Sequence, residues 1–536
     1  MEKGFFGASL DMSRNAVMKP QEVVEYAKLL RSFGYNMLQL YLEDTYEIEG
    51  EPYFGHMRGR YTEKELSYIV DECQKLDIEV IPCIQTLGHL NQMFVWKHTY
   101  EKIRDIDDIL LIGDEKTYEL IDKMFKTLKK SFRSKYVNIG IDEAYNAGRG
   151  KYFDKNGTKE HIDVLLEHLH RVVKIAKDNG FKPMMWADLF ACFSFGAHYV
   201  EDKKFPEELK SRIPEDLILI HWDYSHNYQK IYDDMISAFQ GLEREVWYAG
   251  GACCWVGFAS GNYRTLENMS CAMKSAREHN VENVMITLWH DNGAECSYYS
   301  MLPSLYACKR FYDGVVDIEK IKTEFEDITG ENFDRLCSLD LPNFVGGNRD
   351  PIGNVSKYMF YSDPFNGLFD AACKKGVTDE YKVITNALRK NGKDSKYKYL
   401  FDSSAALTDV LSNKYDLGVR TREAYLKDDK CELTALVDEY RLVLQKIEVF
   451  YKAYRNLWYK ENKPCGFDVQ DIRIGGLKQR LSSCIDRLVE YVGGETQEIP
   501  ELNEKPLDLF GGGEVIDNTE TSYHNRWRFI VSANEL

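Results

Sequence analysis

Proline is scarce in this chain, 13 of 536 residues, which argues against long disordered linkers. CxxC pairs are absent. The thirteen cysteines are odd in number and scattered, so neither a disulfide framework nor a zinc site is indicated. Reduced thiols in a cytoplasmic protein fit the pattern better. Adjacent Cys253 and Cys254 read as small core hydrophobes. No apolar run is long enough to cross a membrane. The opening MEKGFFGASLDMS is too short in its apolar run for a signal peptide and lacks a small-residue cleavage site, so it reads as a first strand. Excess positive charge is lacking too. A formal charge of −17 argues against a nucleic-acid or anionic-membrane partner. A neutral, hydrophilic ligand such as a sugar would be indifferent to it.

What is present is a rhythm. Over residues 1–315, short β-rich runs alternate with amphipathic helical runs. Eight strand candidates follow one another: Phe5–Ser13, Asn36–Asp44, Glu79–Leu87, Tyr136–Glu143, Lys182–Phe190, Leu217–Tyr224, Val246–Trp255 and Val284–Asp291. Between them, PQEVVEYAKLLRSFG opens with Pro and stops at Gly34, and Thr62 with Glu65 forms a capping box. The pattern predicts an α/β fold, a (β/α)8 TIM barrel over 1–315. A doubly wound sheet would want a Gly-rich turn after the first strand, and SLDMSRNA has none. Residues 316–536 lose the strand alternation and predict an α-helical C-terminal domain. Its clearest helix carries an apolar stripe from Leu433 to Trp458. Such a stripe needs a covering surface, and a homodimer is expected to supply it. GFDVQDIRIGG (466–476) reads as a polar loop, with Asp471 or Arg473 a candidate to reach the mouth of a barrel.

The strands are apolar until their C-terminal ends, where polar and aromatic groups gather. These are Asp11 and Arg14, Glu43 and Asp44, Gln85 and His89, Asp142 and Glu143, Trp186 and Asp188, Trp222 with Asp223 and Tyr224, Trp255, and Trp289 with Asp291 and Glu295. Eight such ends on one rim predict a single site, because barrel chemistry sits on that face. Four tryptophans there would be costly to expose unless they wall a pocket. Trp and Tyr faces among carboxylates suit a pyranose ring. Asp142 and Glu143 are neighbours on one strand end, so one of them must be turned there. Two acids so placed fit poorly with the ~5 Å cross-ring pair of an ordinary retaining glycosidase. They fit substrate-assisted hydrolysis, in which the sugar's own 2-acetamido oxygen attacks C1.

In GIDEA, GHL (Gly88–Leu90), MMWADLF, HWDY and LWHDNGAE, taken in that strand context, the chain resembles the β-N-acetylhexosaminidases of glycoside hydrolase family 20, most of all an intracellular branch with a helical C-terminal domain. The resemblance implies hydrolysis of terminal β-linked GlcNAc or GalNAc from glycans or glycoconjugates, with no cofactor and no metal. Glu143 would be the acid and then the base. Asp142 would stabilise the acetamido group, and Tyr224 would donate to its oxygen. Trp186, Trp222 and Trp289 would box the acetyl methyl, with Trp255 and Asp223 as substitutes in the pocket. Arg14 and Glu295 would hold sugar hydroxyls from opposite sides, Asp291 is a further substrate-binding candidate, and Asp44 and His89 would sit behind Glu143. The chain departs from the family in showing TLGH where a Pro-Gly-His turn is common, and in lacking a small domain ahead of the barrel. Two other readings stay open. One is a retaining β-glycosidase pairing Glu143 with Asp223 or Glu295 as nucleophile. The other is a non-catalytic sugar-binding barrel.

Overall fold

The computed structural model describes residues 4–348, 350, 353–507 and 531. The GGG run at 511–513 and all but Val531 of the RWRFIVSANEL end lie outside them. Eight parallel strands close into a barrel in chain order: β1 (Phe6–Asp11), β2 (Met37–Tyr41), β3 (Glu79–Cys83), β4 (Tyr136–Asn138), β5 (Lys182–Trp186), β6 (Ile218–Trp222), β7 (Val246–Gly251) and β8 (Val284–Leu288). The last strand closes on the first, with Gly7 opposite Met285 as it is opposite Met37 on the other side. Parallel strands sandwiched between lumen and helices are buried on both faces, so they read as nearly continuous apolar runs. The lumen is packed with Met37, Tyr41, Ile81, Cys83, Met184, Trp186, Ile220 and Met285.

The connecting helices are punctuated as the sequence requires. Pro20–Ser32 begins on its Pro, and Gly34 follows it with φ 91°. Glu63–Gln74 carries the Thr62–Glu65 capping box with both reciprocal bonds formed. Every strand is shorter than its sequence run, because the polar C-terminal residues leave the ladder. β4 is the extreme case, three residues long. Beyond it Gly140 (φ 73°), Ile141 (φ 70°) and Glu143 (φ 53°) are left-handed. Such backbone cannot continue a strand.

The chain forms two compact units. The first comprises residues 1–252, 265–289 and 304–321. The second comprises 253–264, 290–303 and the helical residues from 322 onward. In the second, the helix Lys430–Glu461 buries Leu433, Leu436, Val437, Tyr440, Ile447, Tyr454 and Trp458. Its neighbours Lys398–Lys414 and Phe467–Gly493, from the same chain, cover that stripe. The feature that pointed to a second subunit is thus satisfied within one chain. The expected loop at 466–476 is instead the start of a helix, Phe467–Gly493, capped by Gly466 at φ 95°. Phe467, Gln470, Ile474, Leu477 and Leu481 are buried at helical spacing, and that burial outweighs two interior glycines. All thirteen cysteines are thiols, and Cys253 and Cys254 are buried. Among the described residues, no helix is long and apolar enough to cross a membrane.

Candidate active site

The left-handed turn at Glu143 brings the two acids of β4 together. Both carboxylates reach one imidazole: His89 Nε2 lies 3.2 Å from Asp142 Oδ2 and 3.4 Å from Glu143 Oε2. His89 arrives on the loop after β3, itself left-handed at φ 55°. Gly88 makes room for that loop, since a Cβ there would lie 3.3 Å from the Asp142 carbonyl and 3.4 Å from the Ala144 side chain. The Glu143 N–H donates to Asp188 Oδ2 at 3.0 Å, which fixes the turned backbone. The Glu143 carboxylate itself is 45% exposed, whereas that of Asp142 is 13% exposed.

The environment treats the neighbouring acids differently. Burial opposes charge on Asp142, but the His89 charge and hydrogen bonds from His89 and Gln85 prevail, and its pKa lies below the ordinary value. Burial likewise works against a charged His89. The two carboxylates overcome it and hold the imidazole well above its usual pKa. Asp188 goes the other way. Burial first, and the Asp142 charge second, push it up to about 7.

A polar relay extends from Asp142 across the rim. Gln85 Nε2 donates to Asp142 Oδ1 at 2.6 Å and to the Tyr41 hydroxyl at 2.9 Å. Tyr41 donates to Glu43 Oε1 at 2.9 Å, and Arg14 pairs with Glu43 at 3.5 Å and with Asp11 at 3.3 Å. Arg14 is partly exposed and presents a fork of donors. Asp44, expected behind Glu143, faces Arg58 instead, at 3.2 Å from both its Nε and one terminal nitrogen. Arg58 in turn donates to the Arg14 carbonyl at 2.6 Å and to the Ser13 carbonyl. Asp44 thereby anchors the segment that carries Arg14.

Three of the tryptophans gather in the first unit. Trp289 meets Tyr41 and Trp186 edge-on, at centroid distances of 5.0 and 5.8 Å. Trp222 stacks on Tyr224 at 5.4 Å and donates from Nε1 to Asp188 Oδ1 at 3.3 Å. Tyr224 lies over Gly251, where any Cβ would strike its ring, and its carbonyl accepts from Asn268. Asp223, itself buried, turns away into a pair with the partly exposed His226 at 2.9 Å. Trp255, Asp291 and Glu295 belong to the second unit. There Glu295 is buried and held by Lys357 Nζ at 2.6 Å and by Arg473 at 3.1 Å. Arg473 thus meets Glu295 from a helix, not from a loop. Among the described residues, one exposed acidic trio, Glu201, Asp202 and Asp234, has metal-like spacing, and the Lys230 ammonium sits among all three.

Sequence reasoning gave no role to Tyr41, Gln85, Glu43 or Asp188. The signal was available for three of them, since Glu43, Gln85 and Asp188 are polar residues at otherwise apolar strand ends. Tyr41 looks like core in any sequence, and only its hydroxyl's two partners reveal it.

Comparison with known proteins agrees with this architecture. The model of the glycosyl hydrolase family 20 catalytic domain matches residues 4–233, and that of the Glycoside Hydrolase 20C C-terminal domain matches residues 331–517. Hexosaminidase D of Homo sapiens is 25% identical over 227 residues, 40% of this chain and 43% of that protein. The bovine protein of the same name is 24% identical over 212 residues, 37% of this chain and 57% of its own. The chain spans about half the length of these curated relatives. Among solved structures, the chitobiase of Flavobacterium johnsoniae is similar at 15% identity and a TM-score of 0.47, over 94% of this chain and 74% of the other. Two models of one family therefore meet on one chain, the catalytic one over the strand end that carries Asp142 and Glu143 and the other over the helices, and the chain belongs to glycoside hydrolase family 20.

Proposed function

We infer that the protein is an exo-acting β-N-acetylhexosaminidase that releases terminal β-linked GlcNAc or GalNAc with retention of configuration. The observation that carries the reading is the convergence of two adjacent carboxyl groups, from one strand end, on His89. In the first step the substrate's acetamido oxygen forms a bond to C1 as the bond from C1 to the leaving oxygen breaks. Glu143 gives its proton to that oxygen. Asp142, kept ionised, accepts the acetamido N–H and balances the positive charge of the cyclic intermediate. Water then attacks C1 and gives a proton to Glu143, and the acetamido group reopens. Trp186, Trp222 and Trp289 wall the acetyl group, Tyr224 donates to its oxygen, and Arg14 holds hydroxyls on the far side of the sugar. Asp291, Glu295 and Trp255 stand as further candidates for substrate contact.

A retaining enzyme with its own carboxylate nucleophile is less well supported. Asp223 is committed to His226, and Glu295 to two cations. Asp188 is buried, and its two oxygens accept from the Glu143 N–H and the Trp222 indole. The curated relatives' name, hexosaminidase, points the same way. Thirteen thiols suit a reducing compartment such as the cytoplasm. A panel of chromogenic β-glycosides decides the question. Release only from 2-acetamido sugars is expected. Equal release from sugars lacking that group, or a sugar adduct on an enzyme carboxylate seen by intact mass, would overturn the mechanism.

A further inference from the structure

Five residues of the first unit close a ring of contacts around the acid. Glu143 N–H donates to Asp188 Oδ2, and Trp222 Nε1 donates to Asp188 Oδ1. His198 packs against Trp222 with ring centroids 5.3 Å apart. His198 Nε2 and the Tyr145 hydroxyl are 2.7 Å apart, with the two rings edge-on. The Tyr145 N–H returns to the Glu143 carbonyl at 2.8 Å. The ring is assembled from three places in the sequence. Tyr145 follows the acid by two residues, His198 comes just after the helix Asp188–Phe195 that Asp188 begins, and Trp222 ends β6.

Most of this ring is wall or support, but Tyr145 is different. Tyr145 remains 38% exposed although its hydroxyl is tied down and its backbone is locked to the acid. A proton donor that serves a leaving group must have that group on its open side. Tyr145 emerges within two residues of the Glu143 carboxylate, which is the more exposed of the two acids. The Tyr145 N–H bond to the Glu143 carbonyl and the Tyr145 hydroxyl contact with His198 hold the three residues together. No Lys or Arg takes part in the ring, and burial keeps His198 below its usual pKa, hence neutral. A fixed, uncharged aromatic face suits the C–H face of a neutral sugar and offers nothing to an anionic group.

We propose that Tyr145 is the stacking platform of a leaving-group subsite, that His198 is the positioning residue that fixes its ring, and that the subsite takes a neutral pyranose on the reducing side of the cleaved bond. The proposal rests on the hexosaminidase reading given above. It makes this chain selective for glycan leaving groups over small ones.

The test compares two substrates with the same transferred sugar. One is a β-1,4-linked N-acetylglucosamine disaccharide, and the other is N-acetyl-β-glucosaminyl fluoride, whose leaving group has no ring. For Tyr145→Ala, the ratio of kcat/KM on the disaccharide to that on the fluoride falls about 10-fold, chiefly through KM. His198→Ala lowers the same ratio by a smaller factor, and Tyr145→Phe, which keeps the ring, restores most of it. Because the fluoride reports a folded, competent site, loss of fold in a variant is visible as loss on both. A ratio unchanged in a Tyr145→Ala protein that keeps its circular-dichroism spectrum and melting temperature overturns the subsite while leaving the hexosaminidase reading intact, and Tyr145→Leu, which keeps an apolar side chain without the ring, gives the same reading where Tyr145→Ala fails to fold. A wild-type protein inert on both substrates overturns that reading and the subsite with it.

Discussion

Two carboxyl groups, those of Glu143 and Asp188, carry predictions that follow from their surroundings. Glu143 itself should matter most where the leaving group needs a proton. Glu143→Gln is expected to lower kcat/KM by about 10²- to 10⁴-fold on alkyl or sugar leaving groups, and far less on activated aryl glycosides. A Brønsted series of aryl substrates measures it, and equal loss across the series would remove Glu143 from the acid role. Asp188 affects stability through its pKa. The fold pushes it from the ordinary 3.8 up to about 7. Between those values the unfolded chain holds fewer protons than the native one, so this residue makes stability fall as pH rises from about 4 to about 7. Asp188→Asn removes that dependence. It also turns an amide N–H toward one of the two donors that Asp188 now accepts, a cost that does not vary with pH. Melting curves of the two proteins should therefore shift relative to one another, in favour of the variant, by at most about 4 kcal/mol between pH 4 and pH 7. A pH-independent difference would refute the raised pKa.

At the scale of elements, the order of the eight strands was legible because each is a buried apolar run set between amphipathic helices. Their ends were not. YLED and GIDE stay strand-like in composition while the backbone has already left the ladder: in YLED the turn is made with Glu43 at positive φ and no glycine announces it, and in GIDE a single Gly140 does not reveal that Ile141 and Glu143 turn as well. The site was legible where chemistry demands a rare residue pattern, as in Asp142–Glu143. It was hidden where an ordinary residue gains its role from a distant partner, as Asp44 does from Arg58. The helix Phe467–Gly493 shows the opposite error. Gly475 and Gly476 read as a break, yet they lie inside the helix with no atom near enough to meet an added Cβ. Gly475→Ala and Gly476→Ala are each expected to stabilise the protein by up to about 1 kcal/mol. Chemical denaturation would show it, and a loss of stability in either would mean that the helix needs those glycines for close approach.

At the scale of the whole molecule, one chain covers the stripe that suggested a dimer, so any pairing must use other surfaces. Leu442, Val449 and Ile472 remain exposed on the two long helices. Homodimerisation through such residues is our proposal, and light scattering at assay concentration tests it. A dimer is the expected result, and a fully active monomer would end the idea. One feature of the rim bears on the protein's history. Glu43, His89 and Glu143 all occupy left-handed backbone that glycine would adopt without cost and that side chains adopt at a cost of about 1 kcal/mol or more. If the proposed function holds, the side chains at these positions are kept there despite that strain. In a lineage that no longer needs the reaction, glycine at these positions would relieve the strain at the cost of the side chains' own contacts. Under the proposed function, relatives that carry Gly in place of Glu143 should be inactive, recognisable as retired enzymes before any assay is run.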